Sequence, residues 1–166
     1  PEFLSASTAY EDFKNQDHIV LGYPTQLDKN ILNELISFYS KYYPLANFSI
    51  LTSTESELMK LGVNTFYSVK IQYFNELYSL SQKLNISYDK VKDTMLKNHW
   101  INPMHTAVPG TDGKLSYGGM CFPKDTNALN QFMIKNNSEN MVLDSTIKER
   151  NNMRKNQNDT ENKIQY

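Results

Sequence analysis

The spacing of apolar residues changes period several times along this chain, and each change marks an element. His18-Ile19-Val20-Leu21-Gly22 is a short apolar run closed by glycine, the pattern of a buried strand. From Thr25 the period lengthens. Leu27, Ile31, Leu32, Leu35, Ile36 and Tyr39 recur at three- and four-residue steps, which predicts a helix with one buried face, stopped by Pro44. Phe48-Ser49-Ile50-Leu51-Thr52 predicts a second strand, so this stretch reads as a βαβ-like piece. Two strands alone do not make a stable sheet, and the chain holds no further good strand candidates.

The longest element follows. Thr54 with Glu57 has the spacing of a capping box. Apolar or small residues then recur at Leu58, Gly62, Phe66, Val69, Tyr73, Leu77, Leu80 and Leu84, with no proline between them. This predicts one helix over 54–84, about 45 Å long at the standard rise. Such a helix suits the spine of a bundle or a dimer contact. Asn85-Ile86-Ser87 breaks it, with Ser87 placed to cap a helix over 88–98. Residues 99–120 carry Pro103, Pro109 and four glycines and read as a long loop. Two helices follow, over 123–136 and 138–153, and 155–166 reads as a polar tail. The predicted fold class is mainly α (α+β). A short βαβ remnant in residues 1–53 precedes a long-helix bundle over 54–154.

Composition narrows the function classes. The chain has 166 residues, 39% hydrophobic and 21% charged, enough for one ordinary packed domain. A net charge of -1 supplies no global field to recruit nucleic acid or an anionic membrane. One cysteine excludes an internal disulfide and leaves no cysteine cluster for zinc, so no metal is expected. A reducing, cytoplasmic setting is the default. The chain opens on Pro1, and its first residues read as the middle of something longer.

That single cysteine carries the candidate chemistry. Cys121 lies in Tyr117-Gly118-Gly119-Met120-Cys121-Phe122-Pro123-Lys124-Asp125. Two glycines permit a sharp turn or a close backbone approach. Pro123 suits the first turn of a helix, and Phe122 before it is pushed out of helical geometry. The thiol therefore belongs at a loop-to-helix junction. There the helix N-terminus and Lys124 both favour thiolate. Taken alone, a lone cysteine is more often a small buried hydrophobe.

Three blocks set that reading aside: Pro1-Glu2-Phe3-Leu4 with Asp17-His18-Ile19-Val20-Leu21-Gly22, then Glu57 to Phe66 with Asn75-Glu76, then Gly118 to Asp125. Together they resemble the NAD-dependent nucleotide-sugar dehydrogenases, the UDP-glucose and GDP-mannose 6-dehydrogenase family. The resemblance runs from residue 1 to about 153 and is closest to the UDP-glucose type. It implies that residues 1–53 are the closing part of an incomplete NAD-binding Rossmann domain. Residues 54–154 are then the helical middle domain, which forms a homodimer through the long helix. The implied reaction oxidises a primary alcohol to a carboxylate with two hydrides passed to NAD. Cys121 would be the nucleophile, Glu2 the helper of the hydrolytic water, Lys60 and Asn64 the oxyanion pair, and Asp125 the residue that steadies them. Phe3, Leu4, Tyr117 and Gly118 would contact the nucleotide-sugar substrate, and Lys124 the cofactor.

The residues agree chemically with these roles. Lys60 and Asn64 are four apart and share a helix face, where an ammonium and an amide can hold a developing oxyanion. A carboxylate beside a thiolate would raise its pKa, so Asp125 is expected to pair with a cation such as Lys60. Singly, Lys60 and Asn64 also read as an ordinary solvated face, Glu2 as a terminal charge and Asp125 as a first-turn charge favoured by the helix dipole. A non-catalytic dimerisation module is the alternative, and a Cys–His hydrolase built on His99 or His105 has no supporting signature. The chain departs from the family pattern in lacking a Gly-x-Gly-x-x-Gly turn, in a longer loop before Cys121, and in placing Trp100 where many relatives have an arginine.

Overall fold

The computed structural model describes residues 1–5 and 7–155 and divides into two compact units, Pro1–Leu61 and Gly62–Tyr166. The polar tail expected at 155–166 lies, from 156 on, outside the described residues. The chain is mainly helical with one small parallel sheet.

The first unit runs α1 (Ala9–Lys14), β1 (His18–Tyr23), α2 (Lys29–Tyr42) and β2 (Asn47–Thr52), then enters the long helix α3 (Ser53–Lys83). β1 and β2 pair in parallel from His18↔Asn47 to Tyr23↔Thr52, with α2 as the crossover. Ile19, Val20 and Leu21 are buried. Gly22 is required by close approach: a Cβ there would stand 2.1 Å from Ser56 Oγ on α3. α1 is too short for any period to announce it; it starts where Thr8 Oγ1 donates to Asp12 Oδ2. α2 starts at Lys29, later than its periodicity suggests, because Asp28 accepts from Asn30 N and caps it there.

The α3 cap also differs from expectation. Thr52 and Glu55, not Thr54 and Glu57, make the reciprocal pair: Glu55 Oε2 accepts from Thr52 N at 2.8 Å, and Thr52 Oγ1 accepts from Glu55 N at 3.3 Å. The strand's last residue caps the helix directly, leaving no linker between them.

In the second unit, α3 continues and is followed by α4 (Tyr88–Leu96), a long segment without helix or strand, α5 (Cys121–Lys135) and α6 (Met141–Arg154). Ser87 caps α4 as expected, accepting from Lys90 N at 3.3 Å. The face of α3 turned inward is not the apolar stripe. Asn64, Ser68, Gln72, Phe74 and Asn75 are buried, whereas Phe66, Tyr73 and Leu80 are 64%, 52% and 50% exposed. Buried amides and hydroxyls are tolerated here because they are hydrogen-bonded, to Asp125, Thr126 and Ser116. α5 and α6 pack on each other, burying Leu129 and Leu143.

Candidate active site

The loop before Cys121 turns at Gly119, whose φ of +76° favours glycine. Met120 then leads into α5 with no side-chain cap, and Cys121 is the first helical residue, its side chain exposed. Phe122 is helical, contrary to expectation. Pro123 falls in the first turn, where no intrahelical partner is lost, so the helix tolerates the proline without expelling its neighbour.

One turn beyond the thiol, Asp125 is only 6% exposed. A buried carboxylate needs donors. Asn64 Nδ2 on α3 supplies one at 2.6 Å, and Lys124 Nζ pairs with the other oxygen. The cation on Asp125 is therefore its own neighbour, the residue also expected to reach the cofactor. Beside this contact the hydroxyls of Thr126 and Ser68 meet at 2.8 Å. Asn64, Asp125, Lys124 and Cys121 thus belong to one arrangement within the second unit, held by α3 and the start of α5.

The first unit holds the remaining candidates. Lys60 Nζ donates to the backbone carbonyl of Glu2 at 2.6 Å and lies 4.9 Å from the centroid of the Phe3 ring. The Glu2 carboxylate accepts from Leu4 N at 2.6 Å. Lys60 therefore holds the Pro1–Leu4 segment by its backbone and leaves the carboxylate to the chain's own amide. Phe3 and Leu4 line an open cavity of about 430 Å³ whose other walls include Glu11, Asp12 and Asp17. Such a wall suits hydroxyl donors better than a diphosphate.

Tyr117 and Gly118 sit differently from one another. Tyr117 is 1% exposed, and burial pushes its phenol up to about 12. Its carbonyl accepts from Arg150 Nε at 3.2 Å, and its ring lies against the same guanidinium. Gly118 runs beneath an ion pair of Arg154 and Asp112. Burial opposes ionisation of Asp112, but the Arg154 guanidinium together with backbone N–H groups, that of Lys114 first, holds the carboxyl below the usual range.

Of the histidines, His105 packs between Tyr67 and Phe122 at centroid distances of 4.7 and 5.3 Å. Burial, with Lys70 nearby, lowers its pKa and keeps it neutral at pH 7. No described hydrogen bond joins it to Cys121, and Trp100 is exposed on the loop.

Asp112, Arg150, Arg154, Gln72 and Ser116 went unread in the sequence. One signal was present. On α6 the buried positions are Leu143, Thr146, Arg150 and Arg154, a helical face that continues as two arginines. Cations on an inward face announce buried acceptors. Among the described residues no cluster of three or more His, Cys, Asp or Glu could hold a metal ion, and no helix is long and apolar enough to cross a membrane.

Comparison with known proteins adds lineage to this geometry. Residues 54–153 match the UDP-glucose/GDP-mannose dehydrogenase family, central domain. The UDP-glucose 6-dehydrogenase of Rickettsia bellii is 32% identical over 157 residues, covering 89% of this chain and 32% of the relative. The Bacillus subtilis strain 168 UDP-glucose 6-dehydrogenase is 32% identical over 152 residues, covering 92% of this chain and 32% of that protein. The solved UDP-glucose dehydrogenase of Pyrobaculum islandicum superposes with a TM-score of 0.80 at 28% identity, over 93% of this chain and 34% of that one. The chain thus spans about a third of the length of the relatives it matches.

Proposed function

The chain belongs to the UDP-glucose/GDP-mannose dehydrogenase family, and on that premise we propose that it works as the Cys-bearing part of an NAD-dependent nucleotide-sugar 6-dehydrogenase of the UDP-glucose type. The observation that carries the reading is the exposed thiol of Cys121 at the start of α5, one turn from a buried carboxylate tied to Asn64, inside the segment that matches the family. A thiol exposed at the first residue of a helix is open to a bound carbonyl carbon.

In this proposal the Cys121 sulfur adds to the carbonyl carbon of the sugar aldehyde, and the oxygen takes up a proton, giving a thiohemiacetal. Loss of that proton and of a hydride leaves a thioester. Water adds to the thioester carbon, the C–S bond breaks, and carboxylate and thiolate are released. Asn64 donates to the oxygen that carries charge in these steps, and Asp125 orients Asn64; Lys60, in the first unit, is given the same role by the family resemblance alone. Glu2 receives a proton from the attacking water once its carboxylate leaves the Leu4 amide. Tyr117 and Gly118 contribute backbone rather than ring contacts. Phe3 and Leu4 border the sugar.

The residues present do not themselves fit a nicotinamide dinucleotide. The one strand-to-helix turn among the described residues of the first unit, between β1 and α2, contains no glycine, and its first-turn N–H is already taken by the Asp28 carboxylate, so it is not built as a pyrophosphate turn. The hydride acceptor in this proposal is NAD, and no turn among the described residues of the first unit is built to hold its pyrophosphate. The outward stripe of Phe66, Tyr73 and Leu80 on α3, spaced by sevens, is proposed as the contact with a second copy of the chain.

The test is reduction of NAD in the presence of UDP-glucose by the protein encoded by the full reading frame, with and without Cys121→Ser. Turnover by the wild type and none by the variant is expected. Turnover retained by Cys121→Ser refutes the covalent route. No turnover by any form favours the alternative, a non-catalytic dimerisation module.

A further inference from the structure

The thiol sits between two anchors, and the upstream one has no role in the chemistry above. Arg154, in the last turn of α6, is 1% exposed. Its Nη2 donates to Asp112 Oδ2 at 2.8 Å and to the Ser116 carbonyl at 3.0 Å. The pair packs closely against Gly118. A Cβ there would stand 2.7 Å from both Nη atoms and 2.8 Å from Asp112 Oδ2. One turn earlier on α6, Arg150 Nε donates to the Tyr117 carbonyl. From α3, Asn75 Oδ1 accepts from Ser116 N at 2.8 Å, and Gln72 Oε1 accepts from Ser116 Oγ at 2.6 Å.

Residues 116–118 are therefore gripped from two helices. Only Gly119 and Met120 separate them from Cys121. Neither is restrained by packing: a Cβ on Gly119 would meet nothing within 4 Å, and Met120 is 89% exposed. The chain that enters α5 is thus held upstream at 116–118, while α5 itself is held to α3 through Asp125 and Thr126.

We propose that Arg154 is a positioning residue for Cys121: by clamping Asp112 and the Ser116 carbonyl across Gly118, it sets the turn that delivers the thiol to the start of α5. The proposal rests on the reading of Cys121 as nucleophile. Arg154 acts only through the loop. Planar geometry matters here, because one guanidinium must hold a carboxylate and a carbonyl together while fitting against bare backbone. An ammonium also carries several donors, but its compact head cannot replace the planar guanidinium packed against the Gly118 backbone. Glycine at 118 is the other half of the device, since any side chain there displaces the pair.

Two measurements on the 166-residue chain test this. Cys121 is the single cysteine, so iodoacetamide reads that thiol alone. Its alkylation rate is followed across pH, and amide hydrogen exchange is followed residue by residue. The variants are Arg154→Met, Arg154→Lys, Gly118→Ala and, as a control, Leu143→Ala, which removes buried apolar bulk from α6 without touching the clamp's polar groups. Arg154→Met and Gly118→Ala should each displace the pH midpoint of alkylation, change its plateau rate about fivefold or more, and speed exchange at 116–120 roughly tenfold, with the interior of α3 unchanged. Arg154→Lys should fall between them and wild type, and Leu143→Ala should keep the wild-type alkylation profile. An unchanged profile and unchanged local exchange in Arg154→Met and Gly118→Ala overturn the proposal. So does a Leu143→Ala variant that reproduces their changes at a matched loss of stability. Neither measurement needs substrate or a hydride acceptor. A failure of the clamp is thereby distinguished from a failure of the catalytic reading, which shows instead as turnover by Cys121→Ser.

Discussion

Replacing Asn75 with alanine removes one anchor of the loop that carries Cys121. Asn75 is 1% exposed, and its Oδ1 is the acceptor for the buried Ser116 N–H. Its Nδ2 donates to the Ile71 carbonyl. That carbonyl lies inside α3 and keeps its helical partner, so the second bond contributes little. Most of the loss comes from the orphaned Ser116 N–H, which costs about 1–3 kcal/mol when buried without a partner. The space left by the amide adds to it, giving roughly 2–4 kcal/mol in all. For a unit of this size that corresponds to a fall in melting temperature on the order of 10–25 °C. Urea unfolding followed by circular dichroism measures the loss directly. Ser116→Ala provides the internal comparison. It leaves the Ser116 N–H paired with Asn75 and strips only the Gln72 Oε1 of its donor, so it separates the hydroxyl's contribution from that of the Asn75 amide. A loss below about 0.5 kcal/mol in Asn75→Ala, within the range of ordinary surface substitutions, would refute the claim that this amide anchors the loop.

Two further outcomes follow from the same geometry. His105 has a lowered pKa in the fold, caused first by burial and then by Lys70, so the unfolded chain binds its proton more readily. Its stabilising contribution is complete above the unfolded value near 6.5 and declines as pH falls below it. Unfolding free energy should drop from pH 7 towards pH 5, and His105→Gln should flatten that slope; an identical slope in the variant would mean that other groups produce it. On the outer face of α3, Phe66→Glu combined with Leu80→Glu should convert a sedimenting dimer into a monomer without unfolding the chain. Both positions are at least half exposed in the single chain. A wild type that sediments as a monomer at every concentration sinks the dimer reading.

The elements were legible where a period or a punctuation mark is local. β1, α2, β2, α3 and α4 are read from the spacing of apolar residues and from Pro44 and Ser87, because each is decided within a few turns of its own chain. The junction that presents Cys121 is legible too, since Gly119 and Pro123 encode a left-handed turn and a helix start. The caps were less so. Thr54–Glu57 and Thr52–Glu55 have the same spacing, and only the end of β2 at Thr52 selects between them.

Which face of α3 turns inward is not in its period. The stripe of Phe66, Tyr73 and Leu80 has the spacing of a core, yet in the single chain it faces outward while Asn64, Ser68, Gln72 and Asn75 go inside. Periodicity shows that a helix has two faces; the partners of each face decide which one is buried. Those partners come from far along the chain, as Asp125, Ser116 and Thr126, and each turns a costly buried amide or hydroxyl into a satisfied one. Arg154 follows the same logic: its sequence neighbours make it an ordinary charged residue near a helix end, and only the fold brings Asp112, Ser116 and Gly118 around it. The sequence by itself determined the order of the elements from β1 onward and the place of its single thiol at a loop-to-helix junction. The tertiary structure alone decided what holds that thiol in place, because hydrogen bonds between residues distant in the chain leave no local period to read.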